Sequence, residues 1–155
     1  MTKPFLSGIM KQKGGDLMDI KKAIKKSGTS FIFNKGSAKA VEKMLSTEED
    51  LLYACSVNVS IVPVSQSLKA DILSAKNKLA GVLAVTTKRV LFCNSVLGQG
   101  TSKQILLGDI TSVDDVTSIL QFAKLRICGI TETFVIDGGR KLRDEIRQAI
   151  SEARL

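Results

Sequence analysis

The chain of 155 residues contains no histidine and no tryptophan. Histidine is the usual general base near neutral pH and the commonest metal ligand, so its absence excludes the enzyme classes that depend on it. One tyrosine and six phenylalanines are the only aromatic residues, which leaves few rings on which unpaired bases stack and argues against a nucleic acid ligand. We therefore expect a protein that is not an enzyme and has no cofactor and no metal.

Cysteine is scarce as well. Cys55, Cys93 and Cys128 are far apart in the sequence and form no C-x-x-C pair, so the spacing of zinc and redox motifs is absent. Each lies in an apolar, strand-like run, which favours small buried hydrophobic side chains in a reducing compartment. A reactive thiol or an intermolecular disulfide is the alternative. The N-terminal apolar run is too short and broken for a signal peptide, and we expect a cytoplasmic protein.

Positive charge is concentrated at one end of the chain. Of the net +8, residues 1–47 carry +7, from ten lysines and three acidic residues. A short helix is predicted from the cap Asp16 to the stop Gly28, with Leu17, Ile20 and Ile24 on one face. The helix presents four lysines as candidate contacts to an anionic surface: Lys21, Lys22, Lys25 and Lys26. A solvated helix face, an anionic surface and a protein partner all remain open as interpretations.

The rest of the N-terminal third is predicted to hold a brief strand, Phe31–Phe33, and a second helix from Ser37 to Leu45. Residues 1–45 then form a basic extension ahead of a domain spanning residues 46–155. From Leu51 to Leu68 no charged residue occurs. Polar residues alternate there with apolar ones, which indicates a half-buried strand rather than a membrane span.

Short strands separated by turns follow in the second part of the chain. The predicted strands are Leu51–Val62, Leu79–Thr86, Arg89–Asn94, Lys103–Leu107, Ile110–Val116, Phe122–Cys128 and Thr131–Asp137. Seven strands at this spacing predict a β-sandwich or a partly open barrel. A helical turn is expected around Leu68–Leu73. The chain ends in an amphipathic helix, Arg140–Ala153, whose apolar stripe predicts that it covers one end of the barrel.

One motif carries a family resemblance. The motif runs Gly81-Val-Leu-Ala-Val-Thr86-x-x-Arg89-Val-Leu-Phe92, preceded by Glu48-Glu49 and followed by the run Ile105–Ile110. Together with seven strands and a C-terminal helix it resembles the bacterial pleckstrin-homology (PH) domains, close in pattern to the GRAM-type PH-like domains. The resemblance implies a mainly β fold, a seven-stranded antiparallel barrel capped by the C-terminal helix.

The same motif has a purely structural interpretation. Gly81 is expected where the strand bends sharply to close the barrel, because a side chain there would crowd its neighbour. Thr86 and Thr87 bind turn amides, and Arg89 lies over the sheet edge. Together with Phe92, these residues form a candidate structural motif.

Three further patterns are weaker. PH domains that bind phosphoinositides carry a basic cluster beside the loop between strands one and two. Here that connection holds only Lys69, Lys76 and Lys78, with Asp71 among them, which argues against specific phosphoinositide binding. The Gly98–Lys103 segment lacks the order of a phosphate loop and precedes a strand. The carboxylates Asp109, Asp114 and Asp115 lack the spacing of a calcium loop and are expected to be solvated.

These observations predict a non-enzymatic PH-like interaction module. Its partner is expected to be a protein or a second copy of the chain, met at the strand edges or the open barrel end. The alternative is a peripheral binder of an anionic membrane surface through the Lys-rich N-terminal segment. Only weak lipid association is expected, because the three apolar residues of the first helix bury little area.

Overall fold

A computed structural model describes residues 19–64, 78–118 and 121–155. The helical turn expected around Leu68–Leu73 lies outside these ranges, as do Asp16 and Leu17. The elements are α1 (Ile20–Lys26), α2 (Lys35–Met44), β1 (Leu51–Pro63), β2 (Lys78–Thr86), β3 (Arg89–Val96), β4 (Gln99–Leu106), β5 (Ser112–Ser118), β6 (Gln121–Cys128), β7 (Glu132–Asp137) and α3 (Arg140–Ala153). Two 3₁₀ turns, Ile32–Asn34 and Leu107–Asp109, connect them.

The seven strands form one antiparallel sheet in the order β4-β3-β2-β1-β7-β6-β5. The long strand β1 belongs to both halves of this sheet. Its residues from Leu51 to Ser60 pair with β2, and those from Asn58 to Pro63 pair with β7. The predicted mainly β fold, an antiparallel seven-stranded sheet with a C-terminal helix, is confirmed.

The larger hydrophobic core lies between the sheet and α3. Alternate residues of β1 point into it, because side chains of a strand alternate between its two faces. The fully buried rings of Phe92 and Phe134 lie at its centre, and α3 contributes the buried residues Ile146 and Ile150. The predicted apolar stripe of the C-terminal helix is therefore confirmed as the face that closes this core.

The opposite face of the sheet is covered by α1 and α2. Small and branched residues of β1, β2 and β3 form its surface: Ala54, Val82, Ala84, Leu91 and Cys93. Against them pack Ile20, Ala23, Ile24, Ala38 and Val41, all buried. We call residues 19–45 the N-terminal layer. This layer shares a core with the sheet, while the division of the chain after residue 45 stays a prediction.

The boundaries inside the N-terminal layer differ from those predicted. The cap of α1 is Asp19 rather than Asp16, and its carboxylate accepts a 2.8 Å hydrogen bond from the Lys22 backbone N–H. Gly28 follows the helix with a φ of +82°, a conformation that glycine adopts without strain. The predicted strand Phe31–Phe33 is wrong. Its aromatic residues favour strands, but this segment pairs with no described strand and forms a 3₁₀ turn between the helices.

The second helix also starts earlier than predicted. It begins at Lys35, two residues before the predicted cap Ser37. The Ser37 hydroxyl accepts a 2.9 Å hydrogen bond from the Ser95 backbone N–H instead of capping the helix. The start of α2 is thereby fixed to the end of β3.

Candidate functional site

The PH-like motif forms a buried polar cluster at the turn between β2 and β3. The carboxylate of Glu49 accepts hydrogen bonds from Arg89 Nη2 at 2.7 Å and from Thr86 Oγ1 at 2.6 Å. A third bond comes from the Ser46 backbone N–H at 3.0 Å. Arg89 also donates to the Met44 carbonyl at 2.6 Å. Arg89 Nη1 donates a further 2.6 Å hydrogen bond to Gln104 of β4. The guanidinium therefore reaches the edge strand and also joins the end of α2 to the turn.

The surroundings of Glu49 favour its charged form. Burial opposes ionisation of this carboxyl, but the hydrogen bonds from Arg89, Thr86 and Ser46 outweigh that effect. The pKa of Glu49 consequently lies below its ordinary value. Through these hydrogen bonds the buried carboxylate joins the end of α2 to the turn between β2 and β3.

Gly81 and Phe92 complete the motif on the inner side of the same hairpin. A Cβ atom at Gly81 would lie 2.2 Å from the Cys93 carbonyl oxygen and 2.9 Å from the Phe92 ring. Atoms cannot approach so closely, so only glycine allows β2 and β3 to pack at this point. The Phe92 ring is fully buried in the larger core.

Two of the three acidic residues considered as a cation site are bound to arginines. Asp114 binds Arg126 at 2.6 Å, and Asp115 accepts from Arg143 at 3.3 Å and Arg147 at 2.6 Å. Both side chains remain partly exposed to solvent on β5, as expected, and Asp115 in addition connects β5 to α3. Across the described ranges, no group of three or more His, Cys, Asp or Glu residues is arranged to hold a metal ion.

The thiols are buried among apolar neighbours. All three cysteines are free and buried, as expected for small core residues. Burial, together with the charge of Glu145, raises the pKa of the Cys55 thiol. Burial also raises the pKa of Cys93, although a hydrogen bond from Ser102 and the charge of Arg89 act in the opposite direction. Reactive cysteines have lowered pKa values, so neither thiol has the character of a nucleophile.

The four candidate lysines of α1 are exposed but do not share one site. Lys21 and Lys25 line a groove toward α2, together with Lys35, Phe31 and Ile32. The Lys21 ammonium lies 5.5 Å from the centre of the Phe31 ring, within the range of a cation–π contact.

The other two lysines of α1 lie apart from this groove. Lys26 lines a different cleft, which also contains Tyr53, Glu145 and Glu152. Lys22 is exposed on the helix surface. The structure therefore brings together Lys21 and Lys25 from the predicted set and adds Lys35 from α2.

Four large apolar side chains are exposed, and one of them, Ile32, lines this groove. Phe33 and Ile32 in the 3₁₀ turn are 87% and 71% exposed. Leu97 and Val96, at the turn between β3 and β4, are 99% and 63% exposed. We call these four residues the apolar corner. Sequence reasoning missed them because aromatic and branched residues in a β-rich chain suggest buried strands. The available signal was a leucine placed directly before Gly98 in a two-residue turn, where a polar residue is usual.

No protein-family model and no curated protein sequence matches the chain. Among solved structures, the N-terminal PH domain of Vps36 is similar with a TM-score of 0.51 and 17% identity. The match covers 72% of this chain and 83% of that domain. A structure of Vav1 inhibited by an allosteric inhibitor is similar with a TM-score of 0.50 and 10% identity, over 87% of this chain and 35% of that one. Similarity at these identities shows the fold alone, and the chain therefore has a PH-like fold.

Proposed function

We propose that the chain is a non-enzymatic, cytoplasmic PH-like interaction module that attaches to an anionic membrane surface through its N-terminal layer. The resemblance in sequence to bacterial PH domains is part of this proposal. Among the described residues, no helix has both the length and the apolar character needed to cross a bilayer. We propose a peripheral attachment, with the bilayer surface as the partner.

The distribution of unpaired positive charge carries this proposal. The N-terminal layer contains seven lysines and two acidic residues, which gives it a net charge of +5. None of these lysines forms an ion pair with another described residue. Basic residues from residue 78 onward are paired with carboxylates in nine cases: Lys78, Arg89, Lys103, Lys124, Arg126, Arg140, Lys141, Arg143 and Arg147.

An anionic bilayer fits such a surface better than a single small ligand. Each lysine near an anionic leaflet contributes about 1 kcal/mol of attraction, and the seven lysines are spread over two helices rather than converging on a point. The attraction falls off within a Debye length of about 8 Å at physiological salt. Lysines spread over two helices therefore act together only against an extended anionic surface.

Vesicle sedimentation with a matched pair of variants tests the proposal. The triple variant Lys21→Gln, Lys25→Gln, Lys35→Gln should lose binding to vesicles of phosphatidylcholine and phosphatidylserine at low salt. The control Lys88→Gln, Lys141→Gln, Arg154→Gln removes the same charge elsewhere, from the turn between β2 and β3, from α3 and from the residue after α3. This control should bind as the wild type does. Equal losses in both variants would mean that only the total charge matters, and the N-terminal layer would not be the binding surface.

A protein partner or self-association is the second candidate, favoured by a different surface. Among the described strands β4 lies at one edge of the sheet. Leu106 at its end and Ile130 in the turn between β6 and β7 are 47% and 63% exposed. A Cβ atom at Gly129 would lie 3.0 Å from the Ile105 side chain, so this turn lies against the end of β4. Analytical ultracentrifugation of the wild type and of Leu106→Asp would reveal a dimer formed at this edge.

A further inference from the structure

We infer that the apolar corner inserts into the membrane interface, with Leu97 and Phe33 entering the acyl region while the lysines of the neighbouring groove contact anionic headgroups. This inference rests on the proposed membrane attachment and adds its mode. Electrostatic attachment needs only the lysines, whereas insertion requires apolar side chains at a defined place. The apolar corner is such a place, and none of its residues belongs to the loop between β1 and β2.

The two chain segments that carry the apolar corner touch at the start of α2 and the end of β3. The Ser37 hydroxyl accepts a 2.9 Å hydrogen bond from the Ser95 backbone N–H. A Cβ atom at Gly36 would lie 2.9 Å from the Ser95 carbonyl oxygen, so the backbones are in close contact here. The 3₁₀ turn with Phe33 directly precedes this contact on one chain segment, and the turn with Leu97 directly follows it on the other.

The backbone conformation of Leu97 is a separate indication that its side chain has a role. Leu97 and Gly98 form the two-residue turn between β3 and β4, with φ values of +54° and +82°. Two positive φ values correspond to a type I′ turn, in which asparagine and glycine are preferred because other residues are strained. A leucine at this position is unfavourable for the turn and is almost fully exposed to water. Burial of the side chain in a bilayer would remove the cost of its exposure and offset the strain of the turn.

Three lysines lie beside one member of the apolar corner. Ile32 lines the same groove as Lys21, Lys25 and Lys35, so the basic groove and the apolar corner meet at this residue. Lipid attachment generally requires two signals, such as an inserted apolar group together with a basic patch. The apolar residues of α1 itself cannot anchor the chain in a membrane, since Ile20 and Ile24 are buried against the sheet. The anchor proposed here is formed by other residues.

Substitutions that suit the turn provide the test. Leu97→Asn replaces a strained leucine by a residue that favours this turn, so the variant should melt at or above the wild-type temperature. Its affinity for vesicles of phosphatidylcholine and phosphatidylserine should fall about tenfold, and Phe33→Asn should have a similar effect. The control Ile130→Asn removes an exposed apolar residue from the turn between β6 and β7 and should leave vesicle binding unchanged. This loss of affinity should persist at about 0.15 M salt, where screening weakens the attraction between the lysines and the headgroups.

A fluorescence measurement reports the position of the side chain directly. The chain has no tryptophan, so Leu97→Trp introduces a single reporter. Its emission should shift to shorter wavelength on anionic vesicles and be quenched by lipids brominated in the acyl chain. Emission that stays at the wavelength of an aqueous indole on bound protein would overturn insertion.

The outcomes separate the inference from the proposed function. Full binding by Leu97→Asn and Phe33→Asn, with loss in the triple lysine variant, would leave electrostatic attachment in place and refute insertion. A wild type that stays off the vesicles at low salt would refute both. A wild-type dimer that Leu97→Asn converts to a monomer, without vesicle binding, would assign the apolar corner to a second copy of the chain.

Discussion

Glu49 shows how one buried carboxylate connects three parts of the chain. It binds Arg89 and Thr86 from the β2–β3 hairpin and the Ser46 backbone beyond α2, while its own backbone precedes β1. Removing one partner of such a cluster leaves the other polar groups buried without hydrogen bonds. We expect Glu49→Gln to lower the free energy of unfolding by about 2–4 kcal/mol at pH 7, measured by urea denaturation. The neighbouring exposed Glu48 provides the control Glu48→Gln, which should change it by less than about 0.5 kcal/mol.

The same cluster predicts a dependence on acid. Because the pKa of Glu49 is lowered in the folded protein, its contribution is fully present above the pKa of the unfolded chain, about 4.3. The contribution is lost as the pH falls through the lower, folded value. The difference between the wild type and Glu49→Gln should therefore shrink below pH 4. A difference that stays constant down to pH 2 would contradict the assigned charge state.

Sequence pattern identified the residues of this cluster but not their contacts. The order Thr86-x-x-Arg89 and the position of Glu49 before the first strand were both visible. Their interaction joins residues 40 positions apart and depends on how α2 approaches the hairpin. For the same reason the partners of Asp115 were missed, since Arg143 and Arg147 become its neighbours only when α3 packs beside β5.

The C-terminal helix is the element that sequence pattern predicted best. Its bounds, Arg140–Ala153, coincide with those predicted, because five apolar residues recur at helical spacing after a glycine pair. Ile146 is fully buried in the larger core. Tyr53 of β1 donates a 2.8 Å hydrogen bond to Glu145 beside it.

A charge placed on the buried face of α3 tests its role in the core. Ile146→Asp should lower the free energy of unfolding by about 4 kcal/mol or more, since an unpaired carboxylate would be buried. Ser151→Asp adds the same charge on the exposed face of the same helix and should cost at most about 1 kcal/mol. Thermal melting of the two variants compares them, and equal melting temperatures would mean that α3 does not contribute to the core.

The segment Phe31–Phe33 marks the limit of prediction from local pattern. Two phenylalanines around an isoleucine have high strand propensity, which expresses how well residues fit a half-buried sheet surface. Here the short connection between α1 and α2 leaves no room for a paired strand, and two of the three side chains are exposed. Tertiary connection therefore overrode local preference. The exposed corner that results could not be derived from propensity alone.

At the scale of the whole molecule, one sheet separates two hydrophobic cores. The larger core contains α3, and the smaller lies beneath the N-terminal layer. A fragment of residues 46–155 retains every strand and α3 but exposes Leu91 and Val82, which the layer buries. We expect the fragment to fold, as the predicted domain division implies, with a lower melting temperature and a tendency to aggregate.

Circular dichroism and light scattering of the fragment measure both effects. The full chain with Ile24→Ala is a milder control, which weakens the contact of the layer and should cost about 2–4 kcal/mol. An unfolded fragment would place the domain boundary before α1. A fragment as stable as the full chain would mean that the layer contributes no net stability to the sheet.

The shared strand β1 has a consequence for the rate of folding. Ser60 pairs with Val135, about 75 positions further along the chain, at the same place where it pairs with Lys78 of β2. Ordering so long a loop lowers the chain entropy before any contact compensates for it, and folding rates fall as contacts become more distant in sequence. The hairpins form from neighbouring segments and do not face this barrier. We therefore expect the β1–β7 pairing to be the slowest step of folding, with the two halves of the sheet joined last.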